Sequence, residues 1–265
     1  MDNLDKSIVF SLDGRDENLL PWLPYLLQDL YEFGASPSHL VELIQRNNIK
    51  NSIHRVLDLG CGKGAVALSL AQAFGWHVHG IDAMPDFIAV ARERSQKEKL
   101  ETQCSLQVGD IRDQIKYMRN FDLVVLGSIG PVLGSVEETL NALKPCLNPG
   151  GYVLLDDGYK RESGKAAEEN ANRVTTFKEI RDAGYVIRDE MLYSQDFIIK
   201  SNREIFDKIK TRALELIEKH PEYRQLFIEY VADQERENDV LENEYECVTW
   251  LCQKKSVGAN QAKTE

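Results

Sequence analysis

The apolar positions of the chain change period several times, and the changes mark its elements. Short apolar or alternating runs at Arg55–Leu59, His77–Asp82, Cys104–Val108, Phe121–Leu126, Tyr152–Asp156 and Val186–Tyr193 read as strands. Between them lie stretches of helical spacing: residues 63–74, Pro85 to about Gln96, the segment carrying Val136, Leu140 and Leu143, and residues 170–183, with a shorter helix at 112–119. Phe121–Leu126 is nearly continuous apolar after Asp122, as a strand covered on both faces requires. Ser135 and Glu138 have capping-box spacing, and Asn148-Pro149-Gly150-Gly151 has the composition of a tight turn. Such alternation predicts an α/β fold with a mostly parallel, doubly wound sheet. Ligands of such sheets sit at the carboxyl ends of the strands.

Two regions depart from the alternation. Residues 1–20 are polar and read as irregular. A helix is then expected from Pro21, with Leu23, Leu26, Leu27, Leu30 and Phe33 on one side and Gly34 as its stop. Ser36-Pro37 opens the next helix, which buries Leu40, Leu43 and Ile44. Near the other end, residues 197–243 read as two long helices. Ile205, Ile209, Ala213 and Leu216 line the first, and Tyr223, Phe227 and Tyr230 line the second. Glu246–Cys252 is the last strand, and the small polar residues at the very end read as disordered. The expected division is an N-terminal helical segment (1–53), a core (54–196), a helical insertion (197–243), the final strand (244–255) and a tail (256–265).

Composition narrows the function classes. Of 265 residues, 43% are hydrophobic and 28% charged, as in ordinary globular proteins. The net charge of -11 argues against a phosphate-backbone partner, because Lys and Arg are interleaved with acids, as at Arg92-Glu93-Arg94. No apolar run approaches a membrane span, and no basic stretch leads into an apolar one at the N-terminus. The five scattered cysteines (Cys61, Cys104, Cys146, Cys247, Cys252) fit no zinc spacing and read as buried free thiols in a reducing cytoplasm. No metal site is expected.

The candidate chemistry centres on Val56-Leu57-Asp58-Leu59-Gly60-Cys61-Gly62-Lys63-Gly64, a strand, a glycine turn and the start of a helix. Glycines there permit φ > 0 and let a ligand approach the backbone. Gly60, Gly62 and Ala65 satisfy the relaxed dinucleotide pattern, with Asp82 22 residues after Gly60. The whole string, with an acid two residues before the first glycine, more closely resembles the first motif of class I S-adenosylmethionine (SAM) methyltransferases. That resemblance covers residues 54–193 and the role of the final strand. It implies SAM as cofactor and a seven-stranded sheet whose last strand is antiparallel, paired in a hairpin with the sixth. Residues 197–243 would be inserted into that hairpin, as in small-molecule members with a helical cap.

The resemblance also assigns roles. Gly60, Cys61 and Gly62 would pass beside the methionine part of SAM, and Asp58 would order the turn or hold the amino group through water. Asp82, followed by Ala83, would accept the ribose hydroxyls, a task for an acceptor-only group; an Asp there also serves as a helix cap. Asp110 and Ile111 would meet the adenine, the alternative again being an N-cap. Tyr31 would lie on a loop that folds near SAM. After the fourth strand the chain reads Gly127-Ser128-Ile129-Gly130-Pro131. The Asn or Asp followed by Pro-Pro and an aromatic, found in enzymes that methylate nucleobase amines or glutamine amides, is absent. Gly127 would be part of a backbone-lined floor under the methyl group.

The expected activity is methyl transfer from SAM to a small-molecule acceptor by in-line displacement, in a monomer or homodimer. Asp157 and Tyr159 are the candidate catalytic base residues by position, and Tyr223, Phe227 and Tyr230 the candidate acceptor wall. An NAD-dependent oxidoreductase and a non-catalytic SAM-binding interaction module are the alternatives.

Overall fold

The computed structural model describes residues 4–161 and 172–255. The expected helix at 170–183 is seen from Arg173 onward, and the expected tail at 256–265 lies outside the described residues. Seven strands form one sheet: β1 (Arg55–Leu59), β2 (His77–Asp82), β3 (Cys104–Val108), β4 (Phe121–Gly127), β5 (Leu147–Lys160), β6 (Tyr185–Leu192) and β7 (Tyr245–Lys254). Their spatial order is β3-β2-β1-β4-β5-β7-β6. β7 alone runs antiparallel to its neighbours β5 and β6, while β1 to β5 pair in parallel. This is the expected doubly wound sheet with a reversed last strand. Winding reverses between β1 and β4, so the carboxyl ends of those strands flank the crevice such folds use for ligands.

Helices α1 (Leu4–Ser11), α2 (Leu23–Leu26), α3 (Pro37–Arg46), α4 (Ala65–Phe74), α5 (Pro85–Lys97), α6 (Ile111–Gln114), α7 (Val136–Leu143), α8 (Arg173–Asp182), α9 (Gln195–Lys219) and α10 (Arg224–Asn243) complete the described chain. One sheet face packs on α3, α4 and α5 through Leu40, Leu43, Ile44, Leu68 and Ile88. The other packs on α7 and α8 through Leu140, Leu143 and Ile180. Ser135 and Glu138 form the capping box their spacing predicts.

The N-terminal region differs from expectation in two places. Residues 4–11 are helical rather than irregular, with Val9 buried. The helix expected from Pro21 to Phe33 is instead a 3-10 helix, Glu17–Trp22, followed by the single turn α2. Pro21 and Pro24, three residues apart, each remove a backbone donor and fix φ, so a long helix cannot form through them. The expected 112–119 helix shrinks to α6, and Asn148–Gly151 interrupts the β4–β5 register instead of preceding β5.

Helices α9 and α10 do form the insertion between β6 and β7. Their apolar stripes meet the N-terminal segment. Leu19, Leu23, Leu26, Leu27, Leu30, Ile209, Ala213, Leu216, Phe227 and Tyr230 share a third core, which Met84 and Phe87 of the β2–α5 junction also enter. The two ends of the chain thus build one cap, seated on the start of α5.

Candidate cofactor and transfer site

β1 stops at three glycines with left-handed backbone, Gly60, Gly62 and Gly64, at φ 70°, 52° and 82°. The backbone N–H groups of Gly60 and Cys61 both donate to the carbonyl of Ile81, at 2.8 and 3.0 Å, which ties the turn to the end of β2. A side chain at Gly60 would strike Ile129 at 2.5 Å. Cys61 turns its thiol inward, where it packs on Gly80; burial raises its pKa well above the ordinary value. Only the backbone of Cys61 is therefore offered to a ligand.

Two carboxylates frame the turn. Asp82 accepts the N–H of Gly62 at 2.8 Å and that of Met84 at 2.9 Å, joining the glycine turn to the first turn of α5. Burial raises its pKa. Each of its oxygens retains a further lone-pair direction. Ala83 lies half-buried between these contacts. Asp58 is buried at 2% exposure and takes the Ala67 N–H in the first turn of α4. Its Oδ2 has no hydrogen-bond partner. Burial, with Asp82 nearby, pushes its pKa up to about 7.

At the end of β3, Asp110 behaves as the cap that was one of its two readings. It accepts the Arg112 N–H at 2.9 Å and holds the Arg112 guanidinium at 2.7 Å. Ile111 is buried in the second core.

Tyr31 stacks on the Arg94 guanidinium of the last turn of α5, its ring centre 3.2 Å from the guanidinium carbon. The residue of that loop facing the glycine turn is Phe33, whose ring lies 3.5 Å from where a Gly62 Cβ would stand. Gly34 and Ala35 continue across to the end of β4: a Gly34 Cβ would be 3.2 Å from the Gly127 carbonyl, and Ala35 sits 3.0 Å from a Gly127 Cβ.

The end of β4 is joined to β5, β6 and β7 by one buried carboxylate. Asp156, level with Gly127 in the register, accepts hydroxyls from Ser128, Tyr193 and Thr249. Ser128 holds a left-handed φ of 55°. His39 of α3 lies against Tyr193 and Phe197, with its Nδ1 buried and unpartnered. None of these roles was anticipated for Asp156, Tyr193 or His39, because the contacts join residues tens of positions apart. Asp157 points to the opposite face and takes the Gly158 N–H. It keeps a solvent-accessible side, but protein crowding and Asp156 raise its pKa to about 6.

Tyr159 does not line an open site. β5 continues past it to Lys160, paired with β7, and its ring is buried against Trp250. The proposed acceptor wall is also corrected. Phe227 and Tyr230 are 0% and 1% exposed; Phe227 meets the Trp22 ring edge-on, and the Tyr230 hydroxyl donates to the Leu12 carbonyl at 3.0 Å. They are the core of the cap. Tyr223 is accessible but leans on Trp22. A recess of about 640 Å³ lined by Arg55, His77, His79, Gln107 and Phe121 lies at the opposite, amino ends of the strands. Among the described residues there is no group of three acids, histidines or cysteines suited to a metal ion, and no helix long and apolar enough to cross a membrane.

Comparison with known proteins places this arrangement. The family described as "Methyltransferase domain" matches residues 50–196, a little over half of the chain and the whole of β1 to β6. The chain belongs to that family. It is 32% identical over 133 residues to phosphoethanolamine N-methyltransferase 2 of Caenorhabditis elegans, covering 48% of this chain and 30% of that protein. It is 29% identical over 180 residues to the carboxy-S-adenosyl-L-methionine synthase of Klebsiella pneumoniae, covering 66% of this chain and 70% of the relative. The chain spans about a third of the length of the phosphoethanolamine methyltransferases it matches. In fold, it superposes on a SAM-dependent methyltransferase of Thiobacillus denitrificans in complex with S-adenosyl-L-homocysteine, with a TM-score of 0.69 at 18% identity, over 88% of this chain and 98% of that one.

Proposed function

We propose that this protein binds SAM at the glycine turn and transfers its methyl group to a small-molecule acceptor. The observation that carries the reading is Asp58. A buried carboxyl at the foot of a glycine turn has one oxygen without a partner, and a buried polar atom of that kind calls for a donor. The α-amino group of SAM, directly or through a water, is such a donor. The residues around it fit the rest of the cofactor. Gly60 to Gly62 expose backbone to the methionine part, Asp82 has lone pairs left for two ribose hydroxyls, and the end of β3 beyond Asp110 takes the adenine side. Membership of a methyltransferase family, and relatives named as methyltransferases and as a carboxy-S-adenosyl-L-methionine synthase, support the same reading.

The bound sulfonium supplies an already electrophilic methyl carbon. The protein's share is to position, to exclude water and, for a protonated acceptor, to remove a proton. Gly127 and Ser128 form the floor between the turn and Asp156, and Phe33 to Ala35 form the roof. Asp157, one residue past the strand partner of Gly127 and accessible on the other face of β5, is the proposed base for an acceptor approaching from that side; its pKa is raised to about 6, and an acid poised near neutral pH suits that work.

The test is a transfer assay with methyl-labelled SAM and a panel of small amines, alcohols and thiols that includes phosphoethanolamine, the compound for which the relatives are named. The reading expects label in one acceptor and stoichiometric S-adenosylhomocysteine. Bound SAM with no transfer to any acceptor would overturn it in favour of a non-catalytic binding role.

A further inference from the structure

Lys63 is the residue of the glycine turn with the least ordinary surroundings. Its side chain is 4% exposed, yet it meets no carboxylate at bonding distance. Its ammonium donates to the carbonyls of Leu27 at 2.5 Å and Leu30 at 2.7 Å, with Gln28 farther at 3.4 Å. The rings of Phe33 and Phe87 stand 5.8 and 5.4 Å away. Burial lowers its pKa to about 8. Burying a lysine this fully is costly unless its donors are satisfied, and here they are satisfied by the segment that follows α2.

That segment is the roof of the candidate site. Between Leu27 and Ser36 it passes from the carbonyls held by Lys63, through Phe33 over Gly62, to Gly34 and Ala35 on the end of β4. Asp29 within it is bound by Arg212 of α9 at 2.5 Å, so the segment also carries the insertion with it. The geometry points to Lys63 as a positioning residue: it fastens residues 27–36 to the cofactor turn, so that an occupied turn and a closed roof stabilise one another. This inference rests on the reading that the turn holds SAM. Its physical basis is that Lys63 sits between two glycines, Gly62 and Gly64, both with left-handed φ. The direction of its side chain is set by the backbone geometry of the turn, and a ligand that fixes the turn fixes the ammonium beneath the roof.

The experiment follows S-adenosylhomocysteine on the whole protein by two readouts, stopped-flow dissociation and hydrogen exchange of residues 27–36. In the wild type, ligand should add protection across that segment. Lys63→Met should still bind, but with dissociation faster by ~10-fold or more, since interface losses appear mainly in the off-rate, and without the added protection. Lys63→Gln, which removes the charge but keeps a polar donor, is the second variant and covers the event that Lys63→Met misfolds. If a folded Lys63 variant releases ligand at the wild-type rate, or if wild-type protection at 27–36 does not change on binding, the inference is wrong while the cofactor reading stands. If the wild type binds no S-adenosylhomocysteine, the cofactor reading itself fails.

Discussion

Asp58 and Asp82 divide the work of the turn by what each already holds. Asp82 accepts two backbone N–H groups and has capacity left, whereas one oxygen of Asp58 is orphaned. Replacing Asp82 by Ala is expected to weaken SAM and S-adenosylhomocysteine by ~1.5–3 kcal/mol, the range for hydrogen bonds to a charged group. Calorimetry checks this, and an affinity within twofold of wild type would remove the ribose assignment. Asp58 makes a pH prediction. With its pKa raised to about 7, the free protein at pH 6 holds a proton there that the unfolded chain does not. The contribution to stability is therefore greatest below the unfolded carboxyl pKa and is lost as pH rises to about 7. Pairing with an ammonium requires the ionised form, so binding at pH 6 should release a proton and affinity should fall as pH drops below 7. Titrations in buffers of different ionisation enthalpy measure that release. Asp58→Asn should abolish it, and unchanged proton release in that variant would place the titrating group elsewhere.

The glycine turn and the cap helices show what elements add to single residues. Gly62→Val is expected to abolish cofactor binding in a folded protein. A β-branched residue is strained at φ 52°, and its methyls would approach Phe33 and the ligand space. Normal affinity in that variant would mean the turn faces away from the cofactor. In the cap, Phe227→Ala should cost ~3–5 kcal/mol of stability, as for a buried aromatic, because its ring closes the core against Trp22. Urea unfolding measures this, and a cost below 1 kcal/mol would contradict the packing. The turn, Asp58 and Asp82 are legible in sequence because they lie within one strand–turn–helix unit and the strand after it. The break at Pro21 and Pro24 was equally local, and the apolar spacing of the leucines masked it. The stripe of Tyr223, Phe227 and Tyr230 announced burial but not its partner. Which surface covers a stripe depends on long-range packing, here with the opposite end of the chain. Lys63 and Leu27 are 36 positions apart, and Asp156 and Thr249 are 93, so no short pattern joins them.

At the scale of the molecule, one sheet fixes the strand ends and two separate stretches of chain close over them. The N-terminal segment and the β6–β7 insertion share a core that rests on Met84 and Phe87, immediately after the proposed ribose ligand. The strand-end residues are joined from beneath by Asp156 and its three hydroxyls. Both features lie beside the proposed transfer site between the glycine turn and Gly127, and keeping water from that space is what methyl transfer to a small acceptor needs. The most direct test of this account is a calorimetric titration of the protein with SAM, S-adenosylhomocysteine and NADH. The account predicts saturable one-to-one binding of both sulfur compounds at micromolar levels and none of NADH. Binding of NADH, with SAM and S-adenosylhomocysteine both inert, would contradict it.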